Sequence, residues 1–185
     1  MRRSLRSGFT LIEILIVVGI IGVLVVVLLA VLLSASAKGE IAQAENFVNN
    51  AIPTAMQSWQ DDNGKDNNTY PASPNLSEGE GYVSGNMELF KELITKPKSA
   101  GKDPYIGGDQ YIEGEEGGKP MFLDPWHKPY IYRNYTMKKS ASGKSRSFTG
   151  IRYNENSYDI ISLGPDGQLY EVNGETDDIY NGTSR

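Results

Sequence analysis

A long apolar segment lies near the N-terminus of the chain, and shorter segments of mixed apolar and polar positions follow it. Phe9–Leu33 contains one charged side chain, Glu13. As a helix rising about 1.5 Å per residue, this segment is about 37 Å long, which is enough to cross a bilayer. The pattern therefore predicts a membrane-spanning helix.

A helical period continues after the apolar segment. Apolar residues recur every three or four positions, and most polar residues fall elsewhere. Pro53 removes one helical hydrogen bond and predicts a kink near Asn49. The turn sequence Asp61–Gly64 predicts the end of the helix. We therefore predict one helix from about Phe9 to about Gln60, apolar all round at first and amphipathic later. Its apolar stripe consists of Ile41, Ala44, Val48, Ala51, Ile52, Ala55, Met56 and Trp59.

The rest of the chain predicts short elements joined by polar connections. Met87–Thr95 reads as a short helix with Asn86 as its cap, between the loop-like segments Asn63–Gly85 and Lys96–Gly118. Clusters of β-branched and aromatic residues predict four strands. The predicted fold class is α+β, with the long N-terminal helix packed on a small antiparallel sheet and a loop-rich C-terminal segment, Gly164–Arg185. The predicted strands are Met121–Leu123, Pro129–Arg133, Arg146–Tyr153 and Ser157–Leu163.

The amino-acid composition excludes several classes of function. The 185 residues include no Cys and one His, which excludes disulfides, thiolate metal sites, cysteine nucleophiles and a multi-histidine metal site. A net charge of −5 argues against a general nucleic-acid binder. No nucleophile and base occur in a recognisable pattern, so we predict no enzyme. His127 is expected to be a turn residue, and Trp126 a core aromatic that anchors the sheet.

The charges near the N-terminus predict the orientation of the chain. Arg2, Arg3 and Arg6 precede the apolar segment without any acidic residue, which places the N-terminus on the cytoplasmic side. The apolar segment is too long for an ordinary secretory signal, and Ser34–Ala37 is a weak cleavage site for one. We therefore expect the remainder of the chain to be exported while anchored.

Glu13 is the unusual residue of the apolar segment. A carboxylate in hydrocarbon costs roughly 2.5–3.5 kcal/mol on insertion scales. Two interpretations are open: the side chain reaches the head groups, or it pairs with a cation in an assembled state. One candidate cation is the amino group of a new N-terminus at Phe9.

The sequence Gly8–Glu13, with a basic leader before it and an apolar helix after it, resembles the class III signal of the type IV pilin superfamily. The resemblance implies that a prepilin peptidase cleaves after Gly8 and methylates the amino group of Phe9. It also implies that Glu13 neutralises the N-terminus of a neighbouring subunit during assembly. The expected divisions are a leader (1–8), a membrane and assembly helix (9–33) and an exported globular domain (34–185). Many members carry a proline midway along the helix, and this chain has none there.

Four segments of the globular part narrow the resemblance to the major pseudopilins of type II secretion, the general secretion pathway protein G family. Their order along the chain is that of the family, although His127 stands where the family usually has glycine. The segments are Trp59–Gly64 with Tyr70–Pro71, Asp124–Tyr130, Tyr158–Gly167 and Asp177–Asn181.

The family binds one calcium ion with its C-terminal loop. The resemblance implies Asp166, Asp177 and Asp178 as ligands here, with the Leu163 carbonyl completing the set. Such oxygen ligands suit Ca²⁺. The family's late acids are separated by one residue, and that spacing favours Thr176 with Asp178. The alternative is a simple turn at Asp166 and a solvated acidic pair.

The resemblance implies a structural subunit of a periplasmic pseudopilus that drives protein export across the outer membrane. The subunit would be a single-pass protein of the bacterial inner membrane with a periplasmic globular domain. Implied partners are further copies of itself, the prepilin peptidase, minor pseudopilins and an inner-membrane assembly platform, with no nucleic acid. The alternatives are a type IV pilus subunit for adhesion, motility or DNA uptake, and an anchored binding protein that never polymerises. The basic residues Lys138, Lys139, Lys144 and Arg146 either contact acidic patches on a neighbouring copy or are solvated.

Overall fold

The computed structural model confirms the predicted α+β class. It describes residues 10–66, 69–73, 81–136, 153–154, 156–169 and 177–182. The chain divides into two compact units, Met1–Gly39 and Glu40–Arg185. Helix α1 comprises Leu11–Asn46.

The first unit holds the apolar part of α1. By length and composition, the 19 residues Leu11–Leu29 form the one helical stretch among the described residues that could cross a membrane. None of this stretch is buried within the protein. Its large apolar side chains are exposed, from Leu11 at 84% to Val25 at 47%. An apolar surface of this extent indicates a membrane or a protein partner around it.

The second unit contains the amphipathic helical segment. A π-helical turn (Phe47–Ala51) leads into helix α2 (Ile52–Asp62), and Gly64 beyond it takes a φ of 58°. Helical structure is therefore confirmed from Leu11 to Asp62, as is the predicted exit. The predicted distortion near Asn49 is present as the π turn, in which the Ile52 N–H donates to the Phe47 carbonyl. Buried residues of the predicted stripe are Ala44, Val48, Ile52, Ala55, Met56 and Trp59.

The next helix repeats this arrangement. Helix α3 (Gly81–Phe90), a π turn (Lys91–Thr95) and helix α4 (Lys96–Ser99) follow one another. Pro97 stands at the same distance after its π turn as Pro53 does after the first one. The Leu93 carbonyl, which Pro97 deprives of a helical donor, accepts the Tyr105 N–H at 3.0 Å. The wider turn thus absorbs the proline, and a loop replaces the missing donor.

Three predictions for this region are wrong. The helix begins at Gly81 rather than near Met87, so the predicted loop Asn63–Gly85 extends too far. Asn86 lies inside α3 and is fully buried, where it binds strand backbone instead of capping the helix. The predicted loop Lys96–Gly118 also fails, because it contains α4 and the first strand.

The strands form two small antiparallel sheets. Strands β1 (Ile112–Glu116) and β2 (Lys119–Leu123) pair as a hairpin. Strands β3 (Ile131–Asn134), β4 (Tyr158–Ser162) and β5 (Ile179–Tyr180) pair in the order β3-β4-β5. An isolated bridge between Leu123 and Pro129 links the end of β2 to the start of β3.

Three of the four predicted strands are confirmed with shifted bounds, as β2, β3 and β4. The fourth, Arg146–Tyr153, lies outside the described residues except for Tyr153, which is not in a strand. Strands β1 and β5 were not predicted. In β1 the residues IEGEE offer a single large apolar side chain, so no alternation reveals the strand.

The core lies between the helices and the sheets and is rich in aromatic rings. Phe47 stacks on Tyr130 with ring centroids 4.5 Å apart. Phe122 contacts Phe47, Phe90 and Tyr111. Trp126 is partly buried and packs against this core, as the sequence predicts. These contacts fix the sheets on the helices and so position the loops described next.

Candidate functional site

The N-terminus of α1 is closed by a reciprocal cap between Thr10 and Glu13. The Glu13 Oε2 atom accepts the Thr10 backbone N–H at 2.7 Å and the Thr10 hydroxyl at 2.8 Å. The Thr10 Oγ1 atom accepts the Glu13 N–H at 3.3 Å. This is a capping box, which also places the carboxylate at the positive end of the helix dipole.

The cap uses only part of the hydrogen-bonding capacity of the Glu13 carboxylate. Within the described residues the hydrogen bonds of its carboxylate go to Oε2, and a carboxylate can accept about four in all. A cation or amine from outside the subunit can therefore bind the same group. The predicted cleavage and methylation residues, Gly8 and Phe9, lie outside the described residues.

The predicted metal-binding turn follows β4. Gly164 takes a φ of 62° and Gly167 a φ of 70°, so the chain reverses tightly around Asp166. The Asp166 N–H donates to Asp177 Oδ2 at 3.2 Å, and Asp166 Oδ1 accepts the Gln168 N–H at 2.7 Å. A methyl group added at Gly164 would lie 2.7 Å from both the carbonyl oxygen and Oδ2 of Asp177. Asp177 therefore contacts this turn directly.

The other two predicted ligands have different surroundings. Leu163 is half-buried at the end of β4, and Asp178 is buried, 1% exposed. Among the residues that the structure describes, no group of three or more acidic or histidine side chains could hold a metal ion. The structure thus brings Asp166 and Asp177 together, which fits part of a Ca²⁺ ligand set of carboxylate and carbonyl oxygens.

A second buried acid, Asp124, organises the loop between β2 and β3. Its Oδ1 atom accepts the N–H groups of Trp126 at 3.1 Å and Lys128 at 2.8 Å, and its Oδ2 atom accepts the Ser162 hydroxyl at 2.7 Å. Burial raises the pKa of Asp124, and these hydrogen bonds oppose the rise. His127 has a φ of 61°, which confirms it as a turn residue.

The bond from Ser162 to Asp124 joins two of the segments that carried the resemblance. A third acid, Asp159 in β4, accepts the Tyr135 hydroxyl and the N–H groups of Tyr153 and Asn154. Asn181 closes β5 by donating to the Tyr158 carbonyl and accepting the Ile160 N–H. The sequence analysis missed these roles. Polar residues inside apolar strand patterns were the signal that could have revealed them, because buried polar groups need partners.

Comparison with known proteins connects the first unit to a recognised motif. Residues 3–29 match the family described as "Prokaryotic N-terminal methylation motif". This region includes Gly8, Phe9 and the capping box.

Two relatives extend the similarity over most of the chain. A type II secretion system core protein G from Pseudomonas aeruginosa is 28% identical over 91% of this chain and 89% of its own length. A protein of the same name from Pectobacterium carotovorum is 29% identical over 95% of this chain and 84% of its own length. No solved structure matches.

The match and the relatives point to a pilin-like family of structural proteins and not to an enzyme family. The N-terminal apolar helix and the globular unit that follows agree with that class. The chain therefore carries a type IV pilin-like N-terminal methylation motif and is distantly homologous to type II secretion core protein G.

Proposed function

We propose that this chain is a structural subunit of a type II secretion pseudopilus. The observation that carries the proposal is the exposed apolar helix whose capping box holds the one charge of Phe9–Leu33, Glu13. The subunit is anchored in the bacterial inner membrane with its globular unit in the periplasm. Copies assemble head to tail through their helices, and the growing fibre drives protein export across the outer membrane.

Assembly depends on processing of the N-terminus. A prepilin peptidase removes residues 1–8 and methylates Phe9. The carboxylate of Glu13 then binds the new amino group of a neighbouring subunit, since an ion pair in a low-dielectric bundle is stable only with both partners present. An inner-membrane platform and minor pseudopilins act with the subunit.

The test compares Glu13→Ala with Glu40→Ala, a glutamate later in the same helix. Both variants should reach the membrane and lose the leader, which mass spectrometry detects as a chain that starts at methylated Phe9. Glu13→Ala should lose sheared fibres and secretion, whereas Glu40→Ala should keep both. Secretion by Glu13→Ala at the level of the unchanged chain would overturn the assembly role.

We also propose that the turn at Asp166 binds one calcium ion. Asp166 and Asp177 supply carboxylate oxygens, with the Leu163 carbonyl and Asp178 as the other predicted ligands. The ion would bind both carboxylates and hold the turn at Asp166 against Asp177. Support comes from the contact of Asp177 with the Asp166 turn.

The test is thermal unfolding of the second unit, Glu40–Arg185, in calcium and in chelator. Calcium at a hundredfold excess over Kd should stabilise it by about 2.7 kcal/mol. Asp166→Ala should abolish the difference, whereas Asp61→Ala, an exposed acid at the end of α2, should preserve it. Equal unfolding temperatures in calcium and chelator would overturn the calcium site.

A further inference from the structure

Strand β1 has an open edge. It pairs with β2 on one side and has no strand on the other among the described residues. The backbone of Phe122 faces Asn86, because its N–H donates to Asn86 Oδ1 and its carbonyl accepts Asn86 Nδ2. Phe122 therefore forms a non-hydrogen-bonded pair with its partner Glu113. It follows that the N–H and carbonyl groups of Glu113, and of Glu115 two residues on, face the open edge.

Pro120 confirms this register. It stands opposite Glu115, the other non-hydrogen-bonded pair, where a residue without an N–H costs no ladder bond. The open edge thus offers two sets of backbone donors and acceptors to an added strand.

The side chains along this edge are acidic and exposed. Glu113, Glu115 and Glu116 all point into solvent, and the ion pairs found among the described residues involve other glutamates, Glu88 and Glu92. Residues 103–118 carry five acidic residues and no basic one. An added strand at this edge must therefore bring positive charge.

The chain itself contains a segment of matching charge. Residues 137–152 carry five basic residues and no acidic one. Their charge is therefore opposite in sign and equal in number to that of residues 103–118. The second half of this segment belongs to Arg146–Tyr153, which the sequence predicts to be a strand. Charge and strand propensity together make it a fitting occupant of the β1 edge.

Contacts with the three-stranded sheet fix both ends of the basic segment. Before it, the Tyr135 N–H donates to the Ser157 carbonyl at 3.0 Å. After it, Tyr153 stacks on Tyr180 of β5, with ring centroids 3.6 Å apart. Strand β5 is the outer strand of the three-stranded sheet, whereas β1 is the outer strand of the hairpin. Complementary surfaces at different edges of one subunit join copies head to tail, in an open series.

We propose that the β1 edge is an interface between copies of this chain and receives the basic segment 137–152 of the neighbouring copy. The proposal rests on the proposed function, because a fibre brings the globular units of successive copies side by side. It adds a second contact to the one made by the N-terminal helices.

The test uses the lack of cysteine in the chain. Full-length Glu115→Cys and full-length Ser142→Cys are co-expressed in cells that assemble fibres, and the cells are oxidised. A disulfide-linked dimer containing one copy of each variant is expected. Asp61→Cys, at an exposed acid on α2, replaces Glu115→Cys in the control and should give no dimer with Ser142→Cys.

Charge reversal distinguishes pairing between copies from pairing within one copy. Glu113→Lys with Glu115→Lys should lose fibres, as should Lys144→Glu with Arg146→Glu, because each places like charges at every interface. Co-expression of the two double variants should restore fibres, since reversed edges and reversed segments on different copies attract again. Asp61→Lys with Asp66→Lys, which changes the net charge equally, should leave fibres intact.

Each outcome decides the proposal. Fibres without the mixed dimer, a disulfide that forms only when one copy carries both cysteines, or no rescue on co-expression would overturn it and leave the proposed function standing. Failure of the unchanged chain to form fibres would instead overturn the proposed function.

Discussion

Single buried polar side chains hold the second unit together. Asn86 donates to the carbonyls of Phe122 and Tyr130 and accepts the Phe122 N–H, at 2.7–2.9 Å. One amide thus ties helix α3 to β2 and to the residue before β3. Asp124 does the same for the following loop and for β4.

Asn86→Ala should destabilise the second unit by about 3 kcal/mol, because it removes the Asn86 partner of the Phe122 N–H and of the Tyr130 carbonyl. Denaturant unfolding of Glu40–Arg185 measures the change. Asn50→Ala is the control, since the exposed Asn50 amide donates to the exposed side chain of Asn46. Its effect should stay within about 0.5 kcal/mol. Equal effects of the two variants would contradict the role of Asn86.

Asp124 predicts a pH-dependent difference between two variants. Burial raises its pKa, so its contribution to stability is complete below the unfolded pKa and is lost as the pH rises through the folded one. Asp124→Asn keeps an acceptor for the two N–H groups and stays neutral. Its stability relative to the unchanged chain should therefore increase from pH 4 to pH 7, as measured by denaturant unfolding at each pH.

The matched variant Asp124→Ala should be destabilised at both pH values, because it leaves two loop N–H groups and the Ser162 hydroxyl without their acceptor. A stability of Asp124→Asn that falls relative to the unchanged chain as the pH rises would show that the hydrogen bonds outweigh burial.

At the scale of elements, the two π turns show how prolines fit inside helices. In both, the residue before proline bonds five residues back. The Leu93 carbonyl, which has no helical donor because of Pro97, accepts the Tyr105 N–H instead.

Pro97→Ala should therefore stabilise the second unit by far less than the about 3 kcal/mol that proline costs inside an ordinary helix. Thermal unfolding measures the gain, and Pro104→Ala, in the loop that follows, controls for the loss of proline rigidity in the unfolded chain. A gain near the full value for Pro97→Ala would mean that the π turn and Tyr105 do not compensate.

The sequence predicts the elements whose signal is local. The apolar stripe of α2 and the aromatic strands β2, β3 and β4 are readable because burial dictates their side chains. Strand β1 is not, since its glutamates lie on an open edge where neither face demands alternation. Asn86 is misread because a buried helical asparagine and a helix cap share one residue type, and only the tertiary contacts separate them.

The candidate sites divide in the same way. Glu13 is predictable because one charge in an apolar helix is conspicuous. The contact between Asp166 and Asp177 joins residues eleven positions apart, and the sequence spacing alone left Asp177 undecided. The Asp124–Ser162 bond spans thirty-eight positions and has no local signal.

For the molecule as a whole, the buried tyrosines lower the stability of the folded second unit at alkaline pH. Burial raises the pKa of Tyr130, Tyr132 and Tyr158. Each contributes stability that is complete below the unfolded pKa of 10 and is lost as the pH rises further.

The second unit should therefore unfold cooperatively above pH 10, and phenolate absorbance and circular dichroism should change together. Complete phenolate formation in a chain that remains folded would contradict the burial of these three rings.

One long-range bond has a consequence for the timing of folding. The Gly182 N–H donates to Asn49 Oδ1 at 2.8 Å, across 133 positions. Strand β5 and this bond cannot form until residues 179–182 have been delivered, so these contacts of the globular unit form after most of it has been synthesised. With the proposed orientation, the globular unit remains incompletely folded until these residues have crossed the membrane.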